Sequence, residues 1–154
     1  MSSVTTDRFS GLAAMALERM AFVITQPCID TPGEVLVHCV AHARLELQGE
    51  GAHSLCVSAS PGMVKEIASG MMGMEPEDID VDDHARATVT EIANILGGEL
   101  MMLLTDGESQ MSLGLPNEIT DEAAGKFLDR STASGFQCSL ESNCGRLLVS
   151  VLRL

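Results

Sequence analysis

Hydrophobic and polar positions along this chain recur with two different periods, and the switches between them mark its elements. Leu12, Met15, Met20, Val23 and Ile24 within residues 8–25, with no proline before Pro27, predict an amphipathic first helix that Pro27 ends. From Val35 to Gln48 the period becomes two: Val35, Val37, Cys39, Ala41, Ala43, Leu45 and Leu47 fall on one side, and His38, His42, Arg44, Glu46 and Gln48 on the other. That pattern predicts a strand with one buried face. Gly49, Glu50 and Gly51 allow a tight reversal into a second alternating run, His53, Leu55 and Val57, which closes a long hairpin. Ser60 followed by Pro61 is an N-cap and first-turn signal for a short helix carrying Val64, Ile67 and Met71, weakened at Gly70 and Gly73.

After an acidic linker from Glu75 to Asp83, Asp82 and Asp83 stand where negative charge favours a helix start, and a helix is predicted from about 82 to 104. At about 100° per residue its Val89, Ile92, Leu96, Leu100 and Leu103 share one core-facing stripe. Glu91 and Asn94 fall almost opposite, between the small residues Ala87 and Gly98. The remainder reads as a strand from Met111 to Leu115, a short helix near 121–128, and a hairpin of Phe136 to Leu140 and Leu147 to Val151 turning at Ser142 to Gly145. This order predicts one α/β domain over residues 1–154, a mixed, largely antiparallel sheet packed against helices that include one long helix.

Composition then removes whole classes of function. A net charge of -13, with no basic cluster and no Trp or Tyr to stack on bases, argues against nucleic acid. The first residues lack the basic start and apolar run of a signal peptide, and no run of 18 apolar residues occurs, so a cytoplasmic protein without a membrane partner is expected. The five cysteines are odd in number and form no Cys-x-x-Cys pair, which predicts reduced, mostly buried thiols. His38 and His42 are placed on one strand face with Cys56 and His53 of the next strand, but about 13 Å of strand rise separates the two histidines, too far for one metal. They read as surface or interface residues, and His84 as solvated. There is no Gly-x-Ser-x-Gly, no phosphate loop with Lys and no Cys in a basic setting. Ten methionines and 3% aromatic residues suggest an aliphatic and thioether core, with the Met-Met pairs at 71 and 101 as filler.

A Glu-x-x-Asn spacing alone arises in about one chain in three of this length from average composition. The surrounding string TEIANILGGELMMLL, followed by LGLP, resembles the CheC/CheX/FliY phosphatase family of bacterial chemotaxis, and the resemblance covers most of the chain. The family motif is Asp or Ser, three residues, Glu, two residues, Asn, and Pro about 22 residues on; Glu91, Asn94 and Pro116 match it with 21 residues between the last two. A single motif resembles CheX. Relatives resembling CheC carry a second Glu and Asn on the first helix, where this chain has Glu18 but Ala21, and Ala87 stands at the Asp or Ser position.

The resemblance implies a phosphatase that hydrolyses the aspartyl phosphate of a response-regulator receiver domain, CheY in chemotaxis signalling. It assigns Asn94 to holding the attacking water and Glu91 to pairing with the receiver's Lys. It implies a homodimer joined through its sheet and no cofactor of the chain's own, the Mg²⁺ being supplied by the receiver. Ala87 and the vacant first helix motivate the alternative of a non-catalytic adaptor for a receiver domain or flagellar motor component; a purely structural domain is the third reading.

Overall fold

The computed structural model describes residues 3–49, 51–105 and 110–154. Its elements run α1 (Ser3–Ala21), β1 (Gln26–Pro27), α2 (Pro32–Val37), β2 (Ala41–Gly49), β3 (His53–Ala59), α3 (Pro61–Met72), a 3₁₀ turn (Pro76–Asp78), α4 (Val81–Thr105), β4 (Met111–Leu113), β5 (Asn117–Glu118), α5 (Asp121–Ala133), β6 (Gly135–Glu141) and β7 (Arg146–Arg153). Among the described residues the strands form one seven-stranded sheet in the order β1-β6-β7-β3-β2-β4, with β5 also on β2, and every pairing is antiparallel.

The expected α/β architecture is therefore present, but the sheet is covered on both faces. Leu45, Leu47, Leu55, Val57, Val149 and Val151 meet α1, α3 and α4 in the main core. The alternate residues Cys56, Leu148 and Leu152 face α2 and α5 in two smaller clusters. The one-faced strand expected for 35–48 is corrected accordingly. Residues 35–37 belong to α2, because the Thr31 side chain caps Glu34 N–H, Pro32 occupies the first turn, and Thr31 also reaches the Glu34 carboxylate. On β2 the polar face is covered too. His42 is only 2% exposed, its Nε2–H donating to Asp121 Oδ1 at 2.6 Å while Ser58 Oγ lies 2.7 Å from Nδ1. Arg44 bonds Glu46 and Ser54 and lies over the Phe127 ring.

The first helix differs from expectation in extent and in face. It ends at Ala21 because Phe22 turns left-handed (φ 58°) and its N–H closes on Glu18 C=O, a cap usually made by Gly. Its buried residues are Phe9, Ala13, Ala16, Leu17 and Ala21, whereas Met15 and Ile24 are exposed. Alanines suit this face because α3 comes close: a Cβ on Gly70 would sit 1.7 Å from Ala21 O. Phe9 meets Phe136 edge-on at 5.9 Å. The cap at Ser60 and the left-handed end at Gly73 bound α3 as the sequence suggests. The β2–β3 reversal has Gly49 and Gly51 at positive φ, as two flanking glycines require; Glu50 lies outside the described residues. Of the Met-Met pairs expected as core filler, Met101 packs half-buried against the main core, whereas Met71, Met72 and Met102 are exposed. α5 runs to Ala133, five residues beyond its expected end at 128, and β5 adds a short pairing to β2.

α4 is long and apolar enough, by length and composition, to cross a membrane, yet its apolar stripe is used on the sheet. Gly97 is the point of closest approach: a Cβ there would lie 2.1 Å from Leu45 Cδ2 and 3.0 Å from Leu113 Cδ1. Its neighbour Gly98 has nothing within 4 Å of an added Cβ. Adjacent glycines therefore respond oppositely to the same change. Gly97→Ala overpacks a buried site and lowers stability by about 1–2 kcal/mol after its gain in helix propensity, while Gly98→Ala raises it by up to about 1 kcal/mol. Urea midpoints of the two variants check both signs.

His53 supplies a pH dependence. It lies across from Leu47 on the main-core side, opposite to the face holding Cys56, so the shared strand face expected of the histidines is not formed. Its Nδ1 bonds Gly51 O, and its buried Nε2 has no hydrogen-bond partner among the described residues. Burial lowers the imidazole pKa from 6.5. A folded pKa below the unfolded one means that the folded state binds fewer protons, so stability is full above the unfolded pKa and is lost as pH falls from 6.5 toward the folded value. His53→Leu is expected to flatten the decline of the urea midpoint between roughly pH 7 and 5; an unchanged slope would show that other groups cause it.

Candidate functional site

α4 begins where its sequence says it should. Asp80 Oδ1 accepts the N–H groups of Asp82 and Asp83 at 2.9 and 3.3 Å, and both acidic side chains lie in the first turn, where the helix dipole favours them. From there the helical period fixes which side chains can be buried. Val89, Ile92, Leu96 and Leu100 are fully buried with Ala93 and Gly97, and Leu103, expected in the same stripe, is half-buried near the helix end.

Glu91 and Asn94 are both exposed. They are about 60° apart around the axis and about 4.5 Å apart along it, so their side chains leave the helix side by side. Ala87 is exposed one turn before Glu91 and Gly98 is half-exposed one turn after Asn94, and Met102 continues the stripe. The expected polar notch flanked by small residues is thus present on the surface. Pro116, the third motif residue, is half-buried in the connection from β4 to β5.

These side chains stand on the outer surface of a helix, which is convex. The 460 Å³ cleft between α1 and β6 is lined by residues such as Thr6, Ser10, Gln137 and Ser139, with no contribution from α4. A convex helix carrying a carboxylate and an amide cannot enclose a small molecule. It can be pressed into a concave site on another macromolecule, where the amide offers a donor and an acceptor without charge.

On α1, Glu18 is exposed but Ala21 is buried, so no second pair forms there. What links α1 to the motif helix is an ion pair that sequence reasoning missed: Arg19 Nη2 donates to Glu99 Oε1 at 3.0 Å. The partners are 80 positions apart, and no local pattern announces the pairing.

Other chemistry is not assembled. No group of three or more Cys, His, Asp or Glu able to hold a metal occurs among the described residues. His38 is exposed at the end of α2, and His84 bonds Asp80 O. The five cysteines are free thiols. Burial pushes the Cys39, Cys56 and Cys138 thiols up to about 12, about 11 and about 12, so they remain protonated and poor nucleophiles at neutral pH.

Residues 41–140, which include Glu91, Asn94 and Pro116, match the family model of the chemotaxis phosphatase CheX. No curated protein sequence matches the chain. Among solved structures it is similar to the chemotaxis protein CheX from Vibrio vulnificus, with a TM-score of 0.69 and 15% identity over 96% of this chain and 95% of that one. It is similar to CheX in the CheX-CheY-BeF3-Mg²⁺ complex from Borrelia burgdorferi, with a TM-score of 0.67 and 16% identity over 96% of each chain. FliY from Thermotoga maritima follows at a TM-score of 0.56 and 14% identity, covering 99% of this chain and 91% of that one. At these identities the structural likenesses establish a shared fold.

Proposed function

The chain belongs to the CheX family of chemotaxis proteins, and on that footing we propose that it is a phosphatase acting on the aspartyl phosphate of a response-regulator receiver domain. The observation that carries the proposal is the exposed Glu91 and Asn94 pair on α4, inside the family match and opposite a fully buried stripe. A CheY-type receiver is the substrate most in keeping with the family, and a relative of the same fold is in complex with CheY. The protein works in the cytoplasm, as a homodimer joined through its sheet.

Hydrolysis of an acyl phosphate needs a water held in line with phosphorus, while the charge on the phosphoryl oxygens is neutralised by groups of the receiver, Mg²⁺ and a Lys. The work left for this chain is placement. The Asn94 amide, neutral and able both to donate and to accept, holds the water without repelling the phosphoryl oxygens. Glu91 takes the receiver's Lys in a charge-assisted pair, which fixes where Asn94 enters. The chain needs no metal of its own for these roles.

Ala87 favours one specific second reading. It stands where the family motif has Asp or Ser, so one polar contact to the receiver is missing, and the chain could bind a receiver or motor component without turning it over. Dephosphorylation of a receiver with and without this protein separates the two.

In that assay Asn94→Ala is expected to remove most turnover while leaving the fold intact, because Ala at an exposed helix position costs nothing in helix propensity. Glu91→Ala is expected to weaken association by about 2 kcal/mol or more if the Lys is left unpaired, with turnover falling as well. Ala87→Asp is expected to raise activity with unchanged thermal stability. An Asn94→Ala protein as fast as its parent rules out water placement by Asn94 and leaves the adaptor.

A further inference from the structure

We infer that Arg19 is a docking contact for an acidic partner surface, a guanidinium held by Glu99 at the rim of the motif face to meet carboxylates of the phosphorylated receiver. The inference rests on the receiver reading above and adds a residue to it from a different helix.

Arg19 lies in the last turn of α1. Its bond to Glu99 sets it beside α4, and Glu99 is five residues past Asn94, about 7.5 Å further along the helix axis. Around that axis Glu99 is turned about 80° from Glu91 and about 140° from Asn94, which puts Arg19 to the Glu91 side of the exposed stripe. The two side chains are unequal partners: that of Glu99 is 24% exposed and that of Arg19 is 67% exposed. The carboxylate is the seated anchor, and most of the Arg19 side chain is exposed. A guanidinium carries five donors in a fixed fork, so one bond to Glu99 orients it without exhausting it.

The charge of the whole chain gives that open cation a task. The chain carries a net charge of -13. The phosphoryl charge of its proposed substrate is offset by Mg²⁺ and a Lys, but the carboxylates that hold a Mg²⁺ stand beside that centre. Two such surfaces repel at long range unless complementary charge is placed at the contact. The exposed stripe of Ala87, Glu91, Asn94, Gly98 and Met102 contains no cation and adds the negative charge of Glu91. Arg86, the one Arg or Lys of α4, is exposed about 80° round the helix from Asn94 and about 12 Å before it along the axis, on the opposite side of the stripe from Glu99. Arg19 adds positive charge on the Glu91 side from the neighbouring helix. As a stabilising ion pair alone it contributes little, because an exposed pair is screened and loses side-chain entropy.

The test uses the full chain with a CheY receiver phosphorylated by acetyl phosphate in the presence of Mg²⁺. Arg19→Ala is expected to raise KM roughly five- to tenfold at low ionic strength, with the difference from wild type shrinking as salt is added. Arg19→Glu should raise it further, and Arg19→Lys should recover part of the loss. Affinity for the receiver activated by BeF3⁻ and Mg²⁺ is measured alongside, so that a chain that binds without turnover gives the same readout as Kd. An Arg19→Ala protein with wild-type KM, Kd and salt dependence overturns the proposal, as does one that changes only in melting temperature. If Asn94→Ala has meanwhile lost turnover, the receiver reading survives that failure. If receiver binding is absent in the parent, both fall together.

Discussion

The seat of α4 on β2 is the constraint from which the rest of the surface chemistry follows. Gly97 has no side chain, so the helix backbone can come down onto Leu45 and Leu113, and fully buried Val89, Ile92, Leu96 and Leu100 complete the contact. A helix has one rotational setting once such a stripe is buried. Turning α4 enough to submerge Glu91 or Asn94 would lift that stripe off the sheet, at about 1.5–3 kcal/mol for each large side chain returned to water. Placement of the motif pair is thus a packing result. Holding the opposite face is worth far more than any hydrogen bond the exposed pair could make for itself.

How much of this fold could be read in advance depends on whether local signals and burial agreed. The two long hairpins, the Ser60 cap and the start of α4 were legible because period, turn residues and capping residues point the same way at each. Agreement fails between Val35 and Val37. Three residues there continue a period-two pattern, yet Thr31, Pro32 and Glu34 supply a cap and a first turn that only a helix uses. The pattern also misstates β2, because period two says which residues share a face and nothing about what covers the other face. α5 covers it, and the polar residues are tolerated there because they satisfy one another: His42 with Asp121 and Ser58, and Arg44 with Glu46 and Ser54. On α1 the large side chains carry the apolar period while alanines make much of the contact, since close approach to α3 favours small residues.

The site divides along similar lines. Exposure of Glu91 and Asn94 follows from helical period alone, and the structure has it. The roles proposed for them do not follow from period; they rest on family membership and on the chemistry of an amide and a carboxylate on a convex face. Arg19 was invisible for a third reason. Its partner is 80 positions away, and only the packing of α1 against α4 brings Glu99 within 3.0 Å. The exposed methionines make the same point in reverse. Met102 seems redundant beside Met101 in a list of apolar residues, yet one helical step separates a half-buried side chain from one at the end of the motif stripe.

A convex site also changes what the protein must provide. An enzyme for a small molecule builds walls to exclude water and to gather charge, and that requires a cavity with converging polar groups. Under the proposed receiver phosphatase activity the walls, the metal and the electrophile lie on the substrate side, and the helix contributes two side chains and a complementary outline. Small neighbours become a requirement under that division of labour. On that reading a bulky residue at position 87 or 98 would meet the receiver before Asn94 reached the phosphoryl group. Ala87 meets the proposed steric demand and lacks the hydroxyl or carboxylate of the Ser or Asp that the family motif has there. Affinity forgone there is best regained at the rim of the face, where charge acts without crowding the proposed entry of Asn94. That is the role proposed for Arg19, which its bond to Glu99 holds beside α4.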